Sequence, residues 1–263
     1  MIPTPSFFNT SLYIFFGTIS SIILFVFNLY QVSQYQPPLC ARFTWLQSRI
    51  AAIPRIKNTI LGKCGFWTCC ESLLFSYVQY GFIGLLNSSF GSWVGTGGNY
   101  FGILSLLPPA FVLFCLILGV DPLKKADLLV PAYPLALVFS KIACFCAGCC
   151  RGFACSWGLF NHTSGLCEFP TQLLEAAVAL ILFFVLLRLR GKVKTGTMFP
   201  IYVILFSATR FFTEFTRCEE NVLGFLKIYH LCCIGGLIYG FALLMLIRKY
   251  GDRISAFFDR KSA

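Results

Sequence analysis

The sequence predicts an all-α membrane protein: a bundle of seven transmembrane helices in a single integral membrane domain over residues 1–263, with the N-terminus outside and the C-terminus cytoplasmic. Three observations carry that expectation. First, 57% of the residues are hydrophobic and only 12% are charged, where ordinary globular chains carry about 25% charge; a mean hydropathy of +0.77 and 30 Phe agree. Second, seven apolar segments can be drawn, at residues 11–30, 66–86, 98–120, 128–150, 171–187, 198–215 and 228–248. Each is long enough, or nearly so, to cross a hydrocarbon core of about 30 Å. Third, the basic residues sort by connection. Arg42, Arg49, Arg55, Lys57 and Lys63 follow the first segment, and Lys124 and Lys125 the third. Arg188, Arg190, Lys192 and Lys194 follow the fifth; Arg248, Lys249, Arg253, Arg260 and Lys261 follow the seventh. All of these fall on one side if the count is seven, which makes that side cytoplasmic. Losing one span would scatter them onto both sides.

Taken in order, the first span has no Lys or Arg before it, so it lacks the basic start of a cleaved signal and is expected to stay in the mature protein. Residues 31–65 form a long basic loop, with Trp45 and several Ile and room for a short interfacial helix. The connection at residues 87–98, NSSFGSWVGTGG, is a Gly/Ser-rich turn region that lets backbone approach a ligand closely. Pro108 and Pro109 should kink or unwind the third span. The fourth runs into LVFSKIACFCAGCCRG, residues 137–152, and an external loop at residues 151–170 follows. The fifth and sixth spans are short. The net charge of +11 sits in loops and does not point to nucleic acid.

Five cations break the loop pattern: Lys141 and Arg210 inside spans, and Arg151, Arg217 and Lys227 at or beyond outer ends. Cations gathered near the outer leaflet fit an anionic ligand, phospholipid head groups first; the bland alternative is snorkelling to the interface, preferred here for Arg151 and Lys227. Arg210 is different, because it lies within an apolar run and has Glu214 at i+4.

Cysteine is abundant, with 14 in the chain, most of them in apolar runs where the side chain behaves as a small hydrophobe. Six crowd the outer end of the fourth span: Cys144, Cys146, Cys149, Cys150, Cys155 and Cys167. Helical spacing places Cys146, Cys149 and Cys150 on one face. Packing is the first reading of the cluster; a disulfide such as Cys155–Cys167, a zinc site and a reactive thiol near Lys141 stay open beside it.

Three motifs line up in order: ADLLVPAYPLALVFSKIACFCAGCCRG at residues 126–152, FPTQLLEA at 169–176 and RFFTEFTRCEENVLG at 210–224. Together they resemble the prolipoprotein diacylglyceryl transferase family, over roughly residues 95–245. The Pro-Thr-Gln-Leu and Arg-Phe-Phe-x-Glu-Phe-x-Arg matches are the most specific. The resemblance implies a bacterial cytoplasmic-membrane enzyme that moves a diacylglyceryl group from phosphatidylglycerol to the lipobox cysteine thiol of a prolipoprotein. Its implied partners are phosphatidylglycerol, prolipoprotein signal peptides and membrane lipid, with no cofactor and no resident metal. It implies catalytic roles for Arg210, Lys141 and Glu214, with Arg210 holding the phosphate and Glu214 orienting it. It implies substrate-binding roles for Arg217, Gln172, Glu175, Gly97, Gly98, Gly148 and Gly152, the last two as glycines of close helix approach.

The departures are specific. Lys141 stands where the family has Arg, which keeps charge but loses the guanidinium fork. Cys144 replaces an Asn and Cys149 a Glu. Thr96-Gly97-Gly98 replaces His-Gly-Gly, Leu174 a Tyr and Phe169 a His. His162 and His230 are the remaining histidines, each more readily a hydrogen-bonded bystander than a base. A Gly-Cys-Cys form of the central motif also resembles a divergent branch of the family. Two other classes are therefore carried: a paralogue that binds anionic lipid without transfer, and a Cys-dependent redox or metal-handling membrane protein.

Overall fold

In the computed structural model, residues 121–161, 163–218 and 221–262 are described, together with scattered helical residues at 15–26 and 108–116. The expectations for the second span, the basic first loop, Gly97, Gly98 and His162 lie outside the described residues. Pro108 and Pro109 are both helical, so the unwinding expected there is not seen at these two residues.

Helix α1, Pro122–Leu129, begins as its residues dictate. Asp121 caps it, accepting from the Leu123 N–H at 2.9 Å, and Pro122 takes the first helical position, where its missing N–H costs nothing. Pro131 cannot donate to the helix behind it, and α1 gives way there to α2, Ala132–Ala147. Together they make a 26-residue apolar stretch, Pro122–Ala147. The expected fourth span thus starts earlier and ends three residues sooner than residue 150. Gly148 is the reason: it closes α2 in the left-handed conformation, with φ 68°, as C-terminal glycines do.

Helix α3, Thr171–Leu189, and helix α4, Met198–Glu214, match the fifth and sixth expected spans within two residues. Helix α5, Ile228–Ser262, has 35 residues and at 1.5 Å per residue far exceeds a bilayer core. Its second half is the charged stretch that the sequence assigned to the cytoplasmic end. Among the described residues, three stretches are long and apolar enough to cross a membrane: Pro122–Ala147, Thr171–Leu189 and Ile228–Asp259. Large apolar side chains such as Ile181, Phe184, Ile238 and Met245 are exposed, as a lipid-facing surface requires.

The all-helical expectation needs one correction. Strands β1, Ala154–Asn161, and β2, Leu166–Glu168, form an antiparallel hairpin in the connection between α2 and α3. Strands β3, Asn221–Leu223, and β4, Leu226–Lys227, form a second between α4 and α5. The first hairpin closes the end of α2: Thr163 Oγ1 donates to the Ala147 carbonyl at 3.3 Å and Asn161 Nδ2 to the Gly148 carbonyl at 3.2 Å. Helix C-termini leave such carbonyls without intrahelical partners.

The chain divides into two compact units. One comprises residues 1–23, 131–192 and 200–244, and the other residues 24–130, 193–199 and 245–263. In the first, α2 and α3 pack together with Ala136, Ala143, Ala176 and Ala179 buried, small residues that let helices approach closely. Tyr133 stacks on Tyr202, with ring centroids 6.1 Å apart. In the second, Asp127 accepts from the backbone N–H groups of Gly196 at 2.6 Å and Met198 at 3.1 Å, capping the start of α4. Lys124 pairs with Asp259 at 2.7 Å and Lys194 with Asp252 at 2.8 Å.

Candidate functional site

The first unit holds an ionic cluster built from α2, α3, α4 and the segment after α4. Glu175, one turn into α3 and only 6% exposed, is its centre. Its Oε2 meets Lys141 Nζ from α2 at 2.5 Å. Its Oε1 accepts from Arg210 Nη1 of α4 and from Arg217 Nε at 3.1 Å, and Arg217 Nη2 lies 3.3 Å from Oε2. Glu214, fully buried, takes Arg210 Nη2 at i,i+4 and stands 3.9 Å from Arg217 Nε. Three cations therefore share two carboxylates at low solvent exposure. Burying charge is tolerable only with this kind of pairing, and the cluster keeps one positive charge in excess. For Arg217, burial disfavours the charge; the Glu175 carboxylate, with Cys150 and Glu214, outweighs it and raises the guanidinium above its ordinary value.

Side chains around the cluster fix its parts. Gln172 Nε2 donates to the Cys149 carbonyl at 2.6 Å. Thr171 Oγ1 lies 3.0 Å from both the Thr216 carbonyl and its hydroxyl, joining the start of α3 to the end of α4. Gly152 forms a β-bridge with Arg217, flanked by Phe153 N–H to the Thr216 carbonyl and Cys218 N–H to the Arg151 carbonyl, both 3.0 Å. The Arg210 guanidinium also sits 5.7 Å from the Tyr229 ring centroid, a cation–π distance.

The predicted site residues divide accordingly. Arg210, Lys141, Glu214, Arg217 and Glu175 come together in one cluster, and Gln172 borders it through Cys149. Gly148 and Gly152 are near it but do not serve helix–helix packing. Gly148 supplies the left-handed turn, and a Cβ on Gly152 would collide with the Phe169 carbonyl oxygen. Lys227 overturns its snorkelling assignment: it is buried, and its Nζ donates to the carbonyls of Glu214 at 2.9 Å and Arg217 at 2.5 Å. Arg151 reaches Glu168 at 3.5 Å. His230 behaves as a bystander: its Nδ1 accepts from the Lys227 N–H at 3.0 Å, and its ring packs on Phe211 and Phe215.

The sequence points to Glu175 as a substrate-binding residue at the start of the fifth span and does not mark it as the hub of the cluster. The signal was electrostatic: two cations within spans, Lys141 and Arg210, need an anion, and Glu175 is the carboxylate in the second motif. Tyr229 and Lys227 had no such signal. The thiols also arrange differently from expectation. Because α2 stops at Ala147, Cys144 rather than Cys146 joins Cys149 and Cys150, with ligand atoms all within 4.8 Å. Cys155 and Cys167 are free thiols, and Cys167 lies opposite Phe160. A cleft of about 210 Å³ under the first hairpin is lined by Phe145, Cys146, Asn161, Glu168, Phe169 and Gln172, among others.

Fold and site together define a helical membrane protein with a cation-rich buried centre. Comparison with known proteins identifies the family. Residues 55–246 match the profile of prolipoprotein diacylglyceryl transferase, and the chain belongs to that family. A phosphatidylglycerol–prolipoprotein diacylglyceryl transferase of Clostridium tetani is 33% identical over 136 residues, 49% of this chain and 55% of the relative. One from Clostridium perfringens is 35% identical over 141 residues, 50% and 55%. One from Clostridioides difficile is 30% identical over 184 residues, 68% and 71%. The matches to the first two span about half the length of those relatives.

Proposed function

We propose that this chain transfers the diacylglyceryl group of phosphatidylglycerol to the lipobox cysteine thiol of prolipoproteins. It would act as a seven-span protein at the outer leaflet of a bacterial cytoplasmic membrane. Family membership and the names of the relatives support the reaction, and the convergence of Lys141, Arg210 and Arg217 on Glu175 is the observation that carries it. In the reaction a C–S bond forms as the C–O bond to phosphate breaks. The thiol proton is lost, and the electron pair goes to the phosphate, which departs as glycerol phosphate. Charge therefore grows on the phosphate as the bond breaks.

The cluster supplies what that step demands. A guanidinium offers five N–H donors, and the carboxylate contacts of Arg210 use one Nη nitrogen for each of two acids. Arg210 and Lys141 are the groups we assign to the phosphate. Donors preorganised in a low-dielectric site stabilise developing charge without reorganising. Glu175 and Glu214 are positioning residues: they hold the cations in place before substrate arrives. Arg217 stands behind Glu175, and Gln172 fixes the Cys149 turn beside them. Replacement of a family Arg by Lys141 leaves a point charge in place of a bidentate fork, which gives Arg210 the larger share of phosphate recognition.

The test is complementation of a bacterium depleted of its own transferase, following the mobility of a lipoprotein precursor. The chain should restore processing, Arg210→Lys should abolish it, and Cys155→Ser should leave it intact. Failure to restore processing at normal expression would overturn the transferase reading. Phosphatidylglycerol binding without rescue would point instead to a lipid-binding paralogue.

A further inference from the structure

The function proposed above leaves the thiols at the end of α2 without a role. Cys144 lies in the last turn of α2, Gly148 turns the chain with φ 68°, and Cys150 is itself left-handed at φ 57°. Among the described residues, Cys150 is the one non-glycine with positive φ, a conformation that L side chains adopt only under constraint. Two left-handed residues two apart fold the chain back onto the helix end. The Cys149 thiol then reaches the Cys144 carbonyl at 3.6 Å, and the three ligand atoms lie within 4.8 Å of one another. A purely apolar role needs no such convergence, since a small hydrophobe packs as well in a relaxed turn.

We infer that Cys144, Cys149 and Cys150 form a three-thiolate site for one thiophilic d¹⁰ metal ion, zinc(II) or copper(I). Soft thiolate donors select these ions. Cys144 and Cys150 are half-buried and Cys149 is exposed. The site is therefore reachable from outside, and a fourth position stays open to water, as in three-ligand zinc sites. Thiolates bound to a monovalent or divalent ion leave net negative charge. Lys141 lies three residues before Cys144 on the same helix face, and Arg217 sits across the bridge to Gly152. The ion would be structural for the neighbouring cluster. The turn that it fastens also presents the Cys149 carbonyl to Gln172 and continues into the segment bridged to Arg217.

The experiment uses the full chain in detergent, stripped with chelator and titrated separately with zinc(II) and copper(I) against a chromophoric competitor. Cadmium(II) serves as the optical probe, because its thiolate charge-transfer band grows with the number of sulfur ligands. One ion per chain is expected, with a three-sulfur cadmium band, and the tighter of the two titrations names the metal. Cys149→Ser and Cys150→Ser should each lose that stoichiometric ion, while Cys155→Ser and Cys167→Ser keep it. Cys149 is exposed, so its serine variant should melt with the metal-free parent and decides the matter even if Cys144→Ser does not fold. Unchanged stoichiometry in Cys149→Ser, or a disulfide among the three cysteines in protein taken directly from membranes, overturns the inference.

Discussion

At the scale of single residues, Glu175 makes the strongest demand on the fold. It is one carboxylate against three cations, all at low exposure. Removing one partner of a buried ion pair leaves charge without compensation and costs about 3–5 kcal/mol. Glu175→Gln is expected to destabilise the purified protein by that order, read as a fall in its thermal midpoint. The double variant Glu175→Gln with Lys141→Met should lose less than the two singles added, because the second change removes a cation the first had orphaned. Strict additivity would mean that the 2.5 Å contact is not an energetic pair. Part of this was legible beforehand: Arg210 and Glu214 are one helical turn apart, and i,i+4 geometry follows from the sequence alone. The link from Glu175 to Lys141, Arg210 and Arg217 spans 34 to 42 residues and appears only once α2, α3 and α4 are packed.

At the scale of elements, the segment after α2 shows why periodicity misled. Helical spacing carries Cys149 and Cys150 along the face of Cys146, but glycine at 148 ends the helix first, and thiol partners change with it. The strand ACSWGLFN was read as loop because hydropathy in membrane proteins hides short external hairpins behind longer apolar runs. Its turn signals were present, with Asn161 accepting from the Thr163 N–H at 2.9 Å and Gly165 left-handed at φ 70°. Gly152 is the element-scale test. A methyl group there would collide with the Phe169 carbonyl oxygen and come within 2.6 Å of Thr171 Oγ1, so the bridge that carries Arg217 must open. Overpacking of this kind costs about 1–3 kcal/mol. Gly152→Ala should therefore lower both the thermal midpoint and lipoprotein processing. At Gly165, where a Cβ meets nothing within 4 Å, alanine should cost only the strain of the positive φ and leave processing unchanged. Equal loss of processing in both variants would show that the hairpin rather than the Arg217 bridge matters.

At the scale of the whole molecule, the topology expected from the charge pattern makes demands that can be tested. Basic residues after the third and fifth expected spans meet acids in the charged half of α5, through Lys124–Asp259 and Lys194–Asp252. Segments that touch must lie on one side of the membrane. These pairs are exposed and contribute little stability; their value is as markers. Arg151, Arg217 and Lys227, the cations that the sequence set at or beyond outer span ends, all find partners in the first unit. The seven spans expected from the sequence would put the C-terminus in the cytoplasm and the β1–β2 turn outside. A short epitope inserted at Gly165, an open turn, should be accessible to antibody on intact spheroplasts. The same epitope after Ala263 should be reached only after permeabilisation. If both tags were reached from the same side, the span count would be wrong by one. If both were reached only after permeabilisation, the cluster beside the β1–β2 hairpin would face the cytoplasm, away from any lipoprotein precursor that has crossed the membrane, and the transferase reading would fail with it.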